Sequence, residues 1–230
     1  MNAAHIGIVA CSAEGAALCY RTICTEAPAL MARHRHPEIS MHTHSLGDYM
    51  ECIGRDDWEG VAELMLSSAG KLAGAGAKFL LSPDNTIHLA FERMVPRSPL
   101  PWLHIVGEVA AEARRRGYRK LAVTGTKYTM EGPVYPSLLT EQGVGCVVPN
   151  EEERGRIDAI IFDELVNGVF RDESRTYFQR VIARLKDEGC DAVVLGCTEI
   201  PLLIDDATSS LPTLDSTRIL ARAALRRALA

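Results

Sequence analysis

Val193-Val194-Leu195-Gly196-Cys197-Thr198-Glu199 is an apolar run that stops at a glycine and continues into a thiol, a hydroxyl and a carboxylate. A run this short suits a strand buried on both faces, as parallel sheets require. Phe79-Leu80-Leu81-Ser82-Pro83-Asp84-Asn85-Thr86 has the same form, an apolar strand feeding a polar turn. The two stretches stand about half the chain apart, as they would in two similar α/β halves. Ligands of open α/β sheets bind outside the carboxyl ends of the strands. Both turns are therefore the first places to look for a site, although polar strand ends are common.

Outward from these stretches, short apolar runs alternate with helical periodicity. The pattern predicts strands over 6–10, 39–43 and 78–81, with helices over 14–31, 57–73 and 86–94. Ser12 stands where an N-cap belongs, and Gly74 and Gly76 stand where a helix ends. Pro96, Pro99 and Pro101 mark a boundary, after which the pattern restarts. Helices are expected over 105–116, 130–142, 151–169, 174–188 and 216–229, and strands over 120–123, 144–148, 192–195 and 211–214. Strict alternation predicts an α/β fold with parallel sheets covered on both faces. The expected domains are 1–98 with 213–230, and 99–212.

The 230 residues are enough for one large domain or two small ones, and 47% of them are hydrophobic. The net charge of −5 and the lack of a long basic run argue against nucleic acid as a partner. Arg114, Arg115 and Arg116 come nearest, and they suit the C-terminal end of a helix. No stretch approaches the ~20 apolar residues of a membrane span, and the first ten residues do not form a signal peptide. Seven cysteines without a CxxC pair read as reduced thiols in a cytoplasmic protein, and they lack structural zinc spacing. No GxGxxG or P-loop motif is present, so no cofactor is expected.

Cys197 is the foremost candidate for chemistry. Free N–H groups at a helix start favour a thiolate and, with the Thr198 hydroxyl, can hold a carboxylate. The plainer reading is a small buried hydrophobe, which is how Cys11, Cys19, Cys24, Cys52, Cys146 and Cys190 are mainly read. Cys11 differs in ending the first strand. Asp84 reads either as a helix cap or as a general acid or base, with Asn85 and Thr86 binding substrate oxygens. Thr126, in Thr124-Gly125-Thr126, suits an oxyanion or an ordinary turn, and Ser12 is open in the same way. His42 and His44 share a strand face without an evident third ligand, so no metal site is assigned. His34 and His36 read as solvated loop residues. His88 reads either as lining the site or as structural.

The segment from Val193 to Leu203, with its Gly-Cys-Thr-Glu core, resembles the second catalytic motif of the aspartate/glutamate racemase family. Thr124-Gly125-Thr126 with Thr129-Met130 is similar to that family's central motif, and Ile6-Gly7-Ile8 and Pro212 to Asp215 fit as well. The resemblance covers nearly the whole chain. It implies two flavodoxin-like domains with parallel sheets and an active site in the cleft between them. It also implies a homodimer, no cofactor, and a small carboxylate or amino-acid substrate. Two acid/base groups then act at the alpha carbon from opposite faces. Carried over, Cys197 is one of them, with Asn85, Thr86, Thr126, Thr198 and Ser12 as carboxylate binders. The family usually reads Cys-Asn-Thr at its first motif, whereas this chain reads Asp84-Asn85-Thr86. Asp84 can be the second acid/base of a racemase. Alternatively the scaffold runs a one-cysteine lyase, decarboxylase or isomerase reaction, or has decayed to a small-molecule binder.

Overall fold

The computed structural model describes residues 3–230 and contains two compact α/β units. One is formed by the chain up to Ile105 together with Thr217–Ala230, and the other by Val106–Ser216.

The first unit begins with β1 (Ile6–Ala10), α1 (Ala13–Glu26), β2 (Ile39–Thr43), α2 (Leu46–Gly54) and α3 (Trp58–Gly74). It continues through β3 (Phe79–Leu81), α4 (Phe91–Met94) and β4 (Trp102–Leu103). Its four strands are parallel in the order β2-β1-β3-β4. Every residue of β1 and β3 is buried, as expected of central strands covered by helices. Ile6, Ile8, Leu80 and Leu81 form the middle layer, and α1 and α3 bury Leu18, Ile23, Val61 and Met65. Ser12 caps α1, its hydroxyl accepting from the Gly15 amide.

The chain enters the second unit with α5 (Ile105–Arg115). There follow β5 (Lys120–Gly125), α6 (Lys127–Glu131), α7 (Val134–Glu141), β6 (Gly145–Val147), α8 (Glu151–Asp163), α9 (Asp172–Asp187), β7 (Ala192–Gly196) and β8 (Thr213–Asp215). The strands are again all parallel, in the order β6-β5-β7-β8. The last helix, α10 (Ser216–Leu229), lies in the first unit from Thr217 onward.

The two sheets therefore repeat one strand order. In both, the chain steps outward on one side of the first strand and then returns to its other side. That reversal is a topological switch point, the place where open α/β sheets open a crevice at their strand ends. The expected α/β class with parallel sheets holds.

Several local expectations are revised. The run expected as one helix over 130–142 divides at Gly132-Pro133 into α6 and α7, because Pro133 cannot continue an α-helical hydrogen-bond ladder. The expected helix 86–94 is a 3₁₀ turn, Thr86–Ala90, running into the short α4. The helix expected to reach residue 169 ends at Asp163 and gives way to a 3₁₀ turn closed by Gly168 at φ 72°. Thr213–Asp215 pairs with β7, so this strand belongs to the second sheet. Neither α2 nor β4 was anticipated. The stretch holding β4 reads as proline-rich boundary, yet Trp102 and Leu103 pair with Leu80 and Leu81.

Candidate active site

In the first unit, the ends of β1 and β3 lie side by side, Ile8 being level with Leu81. Three residues past that pair on each strand come Cys11 and Asp84. The Asp84 carboxylate takes one hydrogen bond on each oxygen. The Cys11 amide donates to Oδ2 at 3.3 Å and the Ser12 amide to Oδ1 at 3.2 Å. Two N–H donors at the N-terminus of α1 make an anion-holding pair, and Asp84 occupies it. Asp84 is thus no cap of its own following turn, whose N-cap residue is Asn85.

Below this carboxylate the backbone is pinned. The His88 ring is 2% exposed. A carbonyl can only accept, so Nδ1 carries the proton that bonds the Asp84 carbonyl at 2.9 Å. Nε2 is then the acceptor for the Ile105 amide at 3.4 Å. Burial and then the neighbouring His104 keep His88 well below the ordinary histidine value, hence neutral. His88 is a structural histidine that holds the Asp84 turn. Asn85 is buried beside it and Thr86 half-buried. Tyr49 is fully buried, and burial first, then the charges of Cys11 and Asp84, keep its phenol protonated. The Tyr49 phenol faces the Ser68 hydroxyl, and among the described residues Ser82 Oγ is a buried hydroxyl without a hydrogen-bond partner.

In the second unit the equivalent strand ends are those of β5 and β7, where Gly125 is level with Gly196. One residue further on each strand come Thr126 and Cys197. The glycines are required by close approach. A Cβ on Gly196 would stand 2.7 Å from the Thr124 carbonyl oxygen, and one on Gly125 would stand 2.9 Å from the Gly196 carbonyl oxygen. Thr124 and Ser216 fasten β7, their hydroxyls donating to the carbonyls of Val194 at 2.8 Å and Leu195 at 3.0 Å.

Cys197 is half-buried, packed against the core of its unit, and its Sγ donates to Glu199 Oε2 at 2.8 Å. Glu199 is 5% exposed and Thr198 4%. Here the expected local geometry is corrected. Cys197 does not open an α-helix, since only a three-residue 3₁₀ turn, Ile200–Leu202, follows Glu199. The thiol's environment is set by the carboxylate two residues on. That contact directs the sulfur's proton at a carboxylate oxygen. Thr126 caps α6, its Oγ1 accepting from the Thr129 amide at 3.4 Å and lying 3.3 Å from Thr129 Oγ1.

Each set of predicted residues is thus gathered at one switch point: Ser12, Asp84, Asn85 and Thr86 in the first unit, Thr126, Cys197 and Thr198 in the second. Sequence reasoning did not anticipate Glu199 as the partner of the Cys197 thiol, nor the Cys11 amide and Tyr49 beside Asp84. The spacing of Glu199 from Cys197 was the available signal. An amide contact leaves no side-chain signature, and α2, which carries Tyr49, was itself unread. Other candidates fall away. Cys146 is pushed up to about 11 by burial, and burial also raises Cys190, as for inert core thiols. His42 and His44 do share a strand face, their rings 4.9 Å apart. The Lys71 ammonium donates to His42 Nε2 at 3.0 Å and takes up the lone pair a metal would use. His34 and His36 are exposed.

A family model, Asp/Glu/Hydantoin racemase, matches residues 6–224, which include every one of these strand ends. The chain belongs to this family. It is an enzyme of the isomerase class, of the racemase type. An aspartate racemase homologue from Pyrococcus horikoshii OT3 superposes with a TM-score of 0.87 at 30% identity, covering 100% of both chains. A Yersinia pestis structure superposes with a TM-score of 0.92 at 30% identity, over 99% of this chain and 100% of that one. The broad specificity amino-acid racemase RacX of Bacillus subtilis is 24% identical over 177 residues, 76% of this chain and 75% of that protein. The match to the glutamate racemase of Pseudomonas aeruginosa, 26% identical, spans 64% of this chain but only 56% of that protein.

Proposed function

We propose that this member of the racemase family is a cofactor-independent amino-acid racemase in which Cys197 and Asp84 move the proton of the alpha carbon. The observation that carries the reading is the Cys197 thiol hydrogen-bonded to the buried Glu199 carboxylate at the end of β7. Family membership supports the reaction class, and the repeated strand order supports a pair of acid/base groups. Inversion needs a base on one face of the substrate and an acid on the other. Asp84 presents a carboxylate suited to accept the alpha proton, leaving the substrate as an enediolate. Cys197 delivers its own proton to the opposite face and is left as a thiolate. Glu199 takes part by returning or receiving the sulfur's proton between turnovers. Thr198 and Thr126, with Asn85 and Thr86, bind the alpha carboxylate, and Ser12 holds the Asp84 end through its amide. The enzyme works without a metal, in the cytoplasm and as a homodimer.

The test is alpha-proton exchange. Amino acids incubated with the enzyme in deuterium oxide should gain deuterium at the alpha carbon and lose optical purity. Unchanged amino acids across a broad panel would sink the reading.

A second reading rests on the same Asp84 contacts. Both of its oxygens are engaged by backbone amides, as a polar wall would be. Cys197 would then be the single acid of a decarboxylase or isomerase, and the panel would release carbon dioxide or rearrange instead of exchanging.

A further inference from the structure

A cavity of about 840 Å³ opens in the first unit, at the end of its sheet opposite to Cys11 and Asp84. It lies where β1 and β3 begin. Its walls are His5 and Lys78, just before those strands, and the segment from Met31 to Glu38 that leads into β2. The five residues of β1 span about 16 Å at the usual strand rise, so the cavity stands apart from the strand ends proposed for chemistry. The groups around it are mostly cationic or able to become so. Arg35, Lys78, His34 and His36 are exposed in its wall, His5 is buried, and Glu38 is the one acid among the described lining residues. Exposed cations are ordinarily just solvated. Here five basic side chains line one concavity, and among the described residues neither the Arg35 guanidinium nor the Lys78 ammonium has a hydrogen bond or ion pair. His36 Nδ1 donates to the Pro37 carbonyl at 2.8 Å, which fixes that ring. His5 is fixed by Ser40 Oγ, 2.9 Å from Nε2, and its Nδ1 lies 3.8 Å from Glu38 Oε2. α3 ends at this rim, but the amides of Ala75, Gly76 and Ala77 engage the carbonyls of Lys71, Ala73 and Leu72, so the helix end adds little negative charge.

We propose that this cavity binds a small phosphorylated sugar or polyol. The planar fork of Arg35 matches two phosphate oxygens, and Lys78 supplies a compact charge beside it. The imidazoles become donors on both nitrogens when protonated, and an approaching phosphate dianion favours that form. Glu38 can only accept when ionised, so it suits the hydroxyls of the organic part and not the phosphate. Met31 and Pro37 give that part an apolar wall. The volume exceeds the need of inorganic phosphate and falls within the roughly 300–1,000 Å³ of metabolite pockets. Such a ligand ties the segment leading into β2 to the starts of β1 and β3, and it stabilises the fold by binding the native state alone. The proposal does not depend on the racemase reading.

Calorimetry with ribose phosphate, inorganic phosphate, citrate and unphosphorylated ribose at matched ionic strength tests it. Ribose phosphate should bind in the millimolar range or tighter, and the other three at least about tenfold more weakly, the worth of one lost charge-assisted hydrogen bond. The double variant Arg35→Gln, Lys78→Gln changes two exposed side chains and should fold normally. It should lose at least about tenfold in affinity for ribose phosphate. In the wild type, ribose phosphate should also shift the imidazole proton signals of His5, His34 and His36. Failure of ribose phosphate to bind in that range overturns the proposal. Citrate binding equally well overturns the choice of phosphate, and inorganic phosphate binding equally well overturns the organic part. Unchanged affinity in the double variant, or imidazole signals that do not move, places the ligand elsewhere and overturns the site.

Discussion

Cys197 and Asp84 do different things with similar surroundings. The thiol gives a hydrogen bond to a carboxylate, and the carboxylate receives two from amides. A group that donates in the resting protein is ready as an acid, and one that accepts is ready as a base. Cys197→Ala should therefore cost at least ~10²-fold in kcat, the lower range for a positioned acid/base. Cys197→Ser should be nearly as damaging, because a hydroxyl is a far weaker acid than a thiol, and full activity in either variant would remove Cys197 from the reaction. Glu199→Gln keeps an acceptor for the S–H but cannot take its proton. It should lower kcat at least about tenfold with little change in KM, since its action falls on the sulfur and not on substrate binding. At Asp84 the expected signature is asymmetry. Deuterium should wash into the two enantiomers at unequal rates, Asp84→Asn should abolish exchange through one face, and Asp84→Cys should make the rates more equal. Equal rates in the wild type would make Asp84 a wall.

At the scale of the elements, the strand ends are positioned by contacts that tolerate little change. Gly196 lies so close to the Thr124 carbonyl that an added methyl must push β7 away from β5. Gly196→Ala should destabilise the fold by about 2 kcal/mol, typical of overpacking, seen as a lower denaturant midpoint at unchanged slope. The turn after β3 is held by a cluster of rings. His88 stacks on Phe91 at 5.2 Å, and His104 meets both, at 4.7 Å from His88 and 4.4 Å from Phe91. Burial lowers His104 to about 4 and His88 well below its ordinary 6.5. Above neutral pH both are uncharged whether folded or unfolded, and neither makes stability depend on pH. Below about 6.5 the unfolded chain takes up protons that the folded protein refuses, so stability falls as pH drops from 6.5 toward 4. For His104 the loss is about 3 kcal/mol over that range. Thermal unfolding at stepped pH should show this decline, and His104→Phe should flatten it. A melting temperature that stays level down to pH 4 would contradict the neutral-histidine cluster.

At the scale of the whole molecule, one strand order is used twice, and each copy carries polar residues at its switch point. On the proposed mechanism, which asks only for sulfur and carboxylate chemistry, activity should survive exhaustive dialysis against a chelator, and the His42 lone pair is engaged by Lys71. Loss of activity on dialysis, restored by one divalent ion, would overturn that expectation. No helix among the described residues is long and apolar enough to cross a membrane.

The α/β class, the parallel sheets and the polar strand ends were all legible in the linear sequence. Buried central strands such as β1 and β7 must be continuous apolar runs, and the turns that follow them are where polar residues can stand. The Gly-Cys-Thr-Glu stretch also pointed to Cys197, because glycine, thiol and carboxylate occur there at fixed local spacing. What the sequence alone could not decide was which way side chains and amides point across long separations. The bonds from the Cys11 and Ser12 amides to Asp84 join residues more than seventy positions apart, and they exist only because β1 and β3 pair in one register. The thiol's true partner was likewise a matter of folding. The chain after Cys197 closes into a 3₁₀ turn where a helix was expected, so the Glu199 carboxylate, and not a row of helical amides, meets the sulfur. Local patterns record which residues are apolar and where turns are allowed, whereas the pairing of strands decides which polar groups share a strand end.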